Sequence, residues 1–162
     1  MRLTLPICIS LMSLATAQTP KDATSHKMDA KAILLTPSDL KWSPAPAESG
    51  LPSAVQLTVL SGDPFKPGLF SLRLKIPDGG AVAAHWHPTD EFVTVIQGTF
   101  AAGMGDKLEA SALHEFPTGS YIVMPKRMHH FASAKGETIV QIEAMGPFAI
   151  NYVNAADDPR KK

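Results

Sequence analysis

His85, His87 and Glu91 stand in a Gly-x5-His-x-His-x3-Glu-x6-Gly pattern bounded by Gly79 and Gly98. Imidazole and carboxylate are ligand types for first-row divalent metals, so the chemistry this spacing offers first is the holding of a metal ion. In an extended strand, side chains at i and i+2 leave the same face, which lets both imidazoles converge on one point. Glu91 opens an apolar run in which Val93 and Val95 share its parity, while Phe92, Thr94 and Ile96 take the other face. A carboxylate heading an inward apolar face needs a cation or a hydrogen-bonded partner to be tolerated there.

The elements that would position these groups are short strands. Pro88, Thr89 and Asp90 favour a turn between the His-x-His strand and the strand that Glu91 begins, which swings the carboxylate back toward the imidazoles. A further ligand is expected where Tyr121, Ile122, Val123 and Met124 read as a strand, followed by Pro125 and the pair His129, His130. Only one of two adjacent histidines points inward from extended backbone.

The first block and the segment from Gly119 to His130 resemble the two motifs of the cupin superfamily. The first matches at every specified position. In the second, Gly119, Pro125 and His130 fit a Gly-x5-Pro-x-Gly-x2-His-x3-Asn pattern, but Arg127 replaces the second glycine and Ala134 the asparagine. The resemblance makes His130 the third imidazole, with His85, His87 and Glu91, and leaves His129 outside the metal shell as a rim residue. Arg127 stands where glycine usually supplies a backbone angle that arginine adopts reluctantly. Its cationic side chain, three residues from His130, could also enter the pocket and repel a dication, the case of a vestigial site.

The resemblance covers residues 48–154. It is closest to small single-domain bacterial cupins with a Leu-Thr-Pro-Ser-Asp-Leu-Lys-Trp lead segment, here beginning at Leu35 and ending at Trp42. It implies an all-β, cupin-type double-stranded β-helix or jelly-roll barrel with a short N-terminal arm, and a homodimer in which arms lie across the neighbouring barrel.

Residues 1–17 read as a secretory signal peptide, with Met1 and Arg2 as a short basic start, an apolar stretch, and Ala15-Thr16-Ala17 as a small-x-small cleavage site. The expected organisation is therefore signal peptide 1–17, N-terminal arm 18–48, cupin barrel 49–154 and C-terminal tail 155–162. Periplasmic or secreted localisation follows from it. Cys8, the one cysteine, lies inside the signal, so the mature chain has neither disulfides nor thiolate ligands. What remains is roughly 145 residues, enough for one domain with a sizeable core. Formal net charge is +0, and no basic stripe or aromatic–arginine platform points to a nucleic-acid partner. Nothing predicts membrane association after signal cleavage.

Within the arm, residues 28–35 could form a short helix that ends before Pro37, and the Ser43-Pro44-Ala45-Pro46-Ala47 run is extended. Strands are expected at 54–60, 69–76, 82–87, 91–100, 120–124, 138–145 and 149–153. The cleanest alternation puts Phe70, Leu72, Leu74 and Ile76 on one face and Ser71, Arg73 and Lys75 on the other. The loop 101–117 has no readable pattern. Trp86, Phe92 and Ile96 read as core or dimer-interface residues, and Tyr121 as core or as a hydrogen bonder behind the ligands.

Three imidazoles and a carboxylate would carry one divalent transition metal, Fe, Mn, Ni, Cu or Zn, with open positions for water, dioxygen or a chelating substrate. Metal uptake outside the cytoplasm would favour copper and zinc by affinity order. The functional expectation is a metal-dependent enzyme, dioxygenase-like or Lewis-acid, acting on a small oxygenated or aromatic molecule, with Glu91 as metal ligand or general base. The alternative is a non-catalytic sensor or storage module that binds metal or a small molecule.

Overall fold

The computed structural model describes residues 32–162. The signal-peptide segment and the arm up to residue 31 lie outside the described residues, as does the first half of the helix expected at 28–35. Its second half is not helical: residues 32–36 carry no regular structure and lead into a 3-10 turn at Pro37–Asp39. The Thr36 backbone N–H and hydroxyl both donate to Asp39 Oδ2, at 2.7 and 2.6 Å, and Pro37 fixes the first turn position.

Nine strands follow: β1 Ser43–Pro44, β2 Gln56–Ser61, β3 Gly68–Ile76, β4 Ala81–Trp86, β5 Glu91–Met104, β6 His114–Pro117, β7 Tyr121–Met124, β8 His130–Gly146 and β9 Asn151–Tyr152. All pairings are antiparallel, and the described residues contain no α-helix. The spine is the β5–β8 pair, which runs from Glu91↔Ala144 to Met104↔His130. On its far side β8 pairs β3 through residues 138–146 and β4 through residues 130–133. β5 likewise pairs β7 through residues 91–94 and β6 through residues 99–102. Each long strand thus serves two sheets, and the two sheets enclose the core, the all-β jelly-roll arrangement expected from the sequence.

Such a strand has to bend. The β5–β8 register shifts between Val95 and Thr99, and Gly98 sits there at φ 77°. A Cβ at this position would lie 2.5 Å from the Glu137 carbonyl oxygen, so the bend requires glycine both for conformation and for close approach.

The alternation in β3 settles which face is inside. Phe70, Leu72, Leu74 and Ile76 are buried, together with Val93, Val95, Val140 and Ile142 from the neighbouring strands. Outward residues make cross-strand polar pairs: Arg73 Nε donates to Gln141 Oε1 at 3.0 Å and Ser71 Oγ to Glu143 Oε1 at 3.3 Å. The Lys75 ammonium lies 4.5 Å from the Trp42 ring centre, tying the arm to this outer face.

Four expectations need correcting. β8 begins eight residues before position 138, because its first half pairs β4 and the second half of β5. The unreadable loop contains β6, an exposed strand whose burial shows no period-two pattern. Tyr121 is neither core nor behind the ligands; it is 63 % exposed on the outer face of β7. Trp86 and Phe92 are half-buried and Ile96 exposed, so of the two readings, core or dimer interface, the core one fails.

Candidate metal centre

β4 carries His85 and runs out at Trp86, one residue before His87; after a register shift between Val82 and His85, both imidazoles are buried while Trp86 between them stays half-exposed. The bend at Pro88 and Thr89 returns the chain into β5. There Asp90 Oδ1 accepts from the Lys126 N–H at 2.7 Å and Thr89 Oγ1 donates to the Met145 carbonyl at 3.0 Å. Glu91 thereby enters at the head of the buried face of β5, sharing it with Val93 and Val95. His130 opens β8 directly opposite His85. The adjacent His129 points outward, where its Nδ1 lies 2.6 Å from Asp106 Oδ1.

His85, His87 and His130 form a buried group whose ligand nitrogens all lie within 4.8 Å of one another. Their ring centres are 4.2 to 5.2 Å apart. Each Nδ1 is committed to a backbone carbonyl: His85 to Ala83 at 2.7 Å, His87 to Ala149 at 2.9 Å and His130 to Met128 at 2.9 Å. Donation from Nδ1 fixes the tautomer with the proton there and leaves each Nε2 a free lone pair, the arrangement that orients metal-binding imidazoles. Phe148 stacks on His87 at 4.2 Å and holds its ring plane.

Glu91 closes the group. Its Oε2 lies 3.6 Å from both His87 Nε2 and His130 Nε2, beyond hydrogen-bond distance. His87 Nε2 is buried with no hydrogen-bond partner. A buried polar atom left unsatisfied is costly, and a cation among the three nitrogens and the carboxylate would satisfy it. The donor set and its tautomers fit a divalent metal.

Electrostatics favour the neutral imidazoles that coordination needs. Burial, and then the neighbouring His130 and His87, hold the His85 imidazole down to about 3. Burial likewise lowers His87. For Glu91 burial works upward, but the surrounding imidazoles of His87, His130 and His85 outweigh it and keep the carboxyl below its ordinary value.

The four side chains open onto a cavity of about 400 Å³ between the sheets. Arg127 is exposed and is not on the cavity wall, so its guanidinium does not enter the pocket as the vestigial reading required. Neither the backbone carbonyls that orient the imidazoles nor the Phe148 stack is foreseeable from residue types and spacing. Carbonyl acceptors carry no side-chain signal, and Phe148 lies more than sixty positions from His87 with no motif to mark it.

No curated protein sequence matches the chain. Among solved structures it is similar to the polyketide cyclase RemF from Streptomyces resistomycificus (TM-score 0.65, 16% identity, covering 81% of this chain and 92% of that one). It is also similar to KdgF from Halomonas sp. (TM-score 0.54, 16% identity, 72% and 96%) and to an RmlC-like cupin from Shewanella frigidimarina (TM-score 0.54, 13% identity, 71% and 91%). At these identities the likeness carries the fold alone. Residues 14–151 match the model of a family described as a domain of unknown function, DUF4437. With motifs, barrel and buried three-histidine group in agreement, the chain belongs to the DUF4437 family and has the cupin fold.

Proposed function

We propose that this protein is an exported mononuclear metal-binding cupin that works as a metal-dependent enzyme on a small oxygenated or aromatic molecule. The observation that carries the reading is the convergence of three tautomer-fixed Nε2 atoms and one buried carboxylate on a point that faces a cavity. His85, His87 and His130 would hold one divalent ion, Fe, Mn, Ni, Cu or Zn, which when bound supplies Lewis-acid polarisation or dioxygenase-like redox chemistry. Glu91 either completes the shell or accepts a proton from the substrate, roles that a carboxylate within reach of both metal and cavity can alternate between. The apolar walls exclude water and strengthen every charge interaction inside.

A non-catalytic small-molecule or metal-binding module is the second reading. It is favoured by one observation: among the described residues Glu91 is the only acidic side chain on the cavity wall outside the part-exposed Asp63, so the site has a sparse acid–base repertoire. Export rests on the leader-like residues 1–17. A homodimer is proposed from the apolar, exposed Ile33, Leu34 and Leu35 of the arm, and sedimentation of the mature chain tests it.

Metal content by mass spectrometry of protein isolated from its export compartment, beside His130→Ala, tests the centre. One equivalent of metal in the parent and none in the variant is expected. Unchanged metal in a folded His130→Ala protein overturns it. Oxygen consumption with chelating substrates then separates enzyme from binding module.

A further inference from the structure

The cavity wall is almost wholly hydrocarbon. Leu72, Leu74, Ile76, Val93, Val140 and Ile142 line it from β3, β5 and β8, in the same cavity as the three imidazoles. Apart from those imidazoles and Glu91, the polar side chains on the wall are Ser49 and Asp63. Both are already engaged. Ser49 Oγ donates to the Pro46 carbonyl at 2.6 Å and accepts from the Leu51 N–H at 3.2 Å. Asp63 accepts from the Phe65 N–H at 2.9 Å and pairs with Lys66 Nζ at 2.8 Å. Among the described residues no lysine, arginine, asparagine, glutamine, threonine or tyrosine lines the cavity.

Resting on the metal-centre reading above, we propose that the ligand of this site is a monoanionic oxygen chelator with an apolar chain or ring as its body, not a sugar or a polyanion. Two arguments lead there. A polyhydroxylated body would lose its water against walls that return no hydrogen bonds, and each unpaired hydroxyl is costly to bury. Charge sets the second limit: a dication and the Glu91 carboxylate leave one net positive charge beside three neutral imidazoles, which one negative charge on the chelating head neutralises. A second anionic group would be stranded in hydrocarbon with no cation to meet it. The cavity's volume matches a ligand of drug-like size.

Hydroxamates give one chelating head with interchangeable bodies. Titration calorimetry of the metal-loaded and metal-free protein would compare acetohydroxamate with the straight-chain series to octanohydroxamate, with gluconohydroxamate and with the monohydroxamate of succinic acid. Affinity is expected to rise about fourfold per methylene until the cavity fills, with the polyhydroxylated and dianionic compounds binding no tighter than acetohydroxamate. Val59 lines the cavity yet is 42 % exposed at its rim, so Val59→Trp should fold. It is expected to weaken octanohydroxamate about 15-fold, the loss of some two methylenes of burial, while leaving acetohydroxamate unchanged. Flat affinity along the series, tighter binding of the polar bodies, or an indifferent Val59→Trp variant overturns the ligand class and leaves the metal centre standing. Affinity for acetohydroxamate and octanohydroxamate that is identical with and without metal overturns chelation, whereas a protein that takes up no metal overturns the metal-centre reading itself.

Discussion

The backbone N–H of Arg127 donates to the carbonyl oxygen of His87 at 2.8 Å, with Arg127 itself held at φ 64°. A single hydrogen bond thus joins the turn before His130 to the strand end that carries His87, and it does so through an arginine in the left-handed region that favours glycine. A non-glycine residue there costs about 1–2 kcal/mol. The surrounding structure enforces the conformation although the side chain resists it.

Arg127→Gly is therefore expected to stabilise the fold by about 0.5–1 kcal/mol, the relieved strain less the extra chain entropy of glycine. Arg127→Pro, which cannot reach this φ and lacks the donor to His87, should cost about 3 kcal/mol. Urea denaturation reads both. A destabilised Arg127→Gly protein, or one that no longer holds metal, would show that the guanidinium does more than sit in solvent.

The histidines and Glu91 should separate in metal-binding experiments. His85→Ala or His130→Ala removes a nitrogen ligand, and metal should be lost from the isolated protein. Glu91→Gln keeps the shape but not the charge, and its affinity is expected to drop about 10- to 100-fold, the range seen when groups supporting a metal site are removed. Competition with a chromophoric chelator measures it. Equal affinity in Glu91→Gln would take Glu91 out of the shell.

Stability in acid should carry the mark of Asp158. Its carboxylate accepts from the Arg160 backbone N–H at 3.0 Å and from Nε and Nη2 at 2.8 and 2.9 Å, while Nη2 also reaches the Ile150 carbonyl at 2.8 Å. These bonds to Arg160 hold the Asp158 carboxyl below its ordinary 3.8. A depressed carboxylate contributes stability that is complete above its unfolded value and lost as pH falls through its folded one. The melting-temperature gap between the parent and Asp158→Asn is expected to be constant at neutral pH, to narrow below pH 3.8 and then to close. A gap indifferent to pH would mean that the charge is not what holds the C-terminal segment.

Phe70 is fully buried, edge-on to Phe148 with ring centres 5.4 Å apart, and Phe148 in turn stacks on His87. Phe70→Ala should cost about 3–5 kcal/mol by the loss of buried surface and the void left behind, read as a lower denaturation midpoint at unchanged slope. Metal affinity should fall with it if the aromatic stack holds the His87 ring. A variant with ordinary metal affinity would leave Phe148 a packing residue only.

Much of this site was legible in one dimension. Strand periodicity dictates that His85 and His87 share a face, that Glu91 sides with Val93 and Val95, and that only one of His129 and His130 turns in; local backbone geometry decides such questions, and the fold bears it out. The arginine in the second motif was visible as a mismatch. Whether the turn would open or be forced into φ 64° depended on the bond to His87, forty positions away. The first half of β8 and the whole of β6 escaped notice because their pairing partners lie in distant β4 and β5 and their burial does not alternate cleanly. The residue types of the candidate ligands were therefore written in the sequence. Tautomers, the meeting of His130 with His85, and the hydrocarbon wall around them came only with tertiary structure, because non-local contacts choose which backbone carbonyl faces which ring.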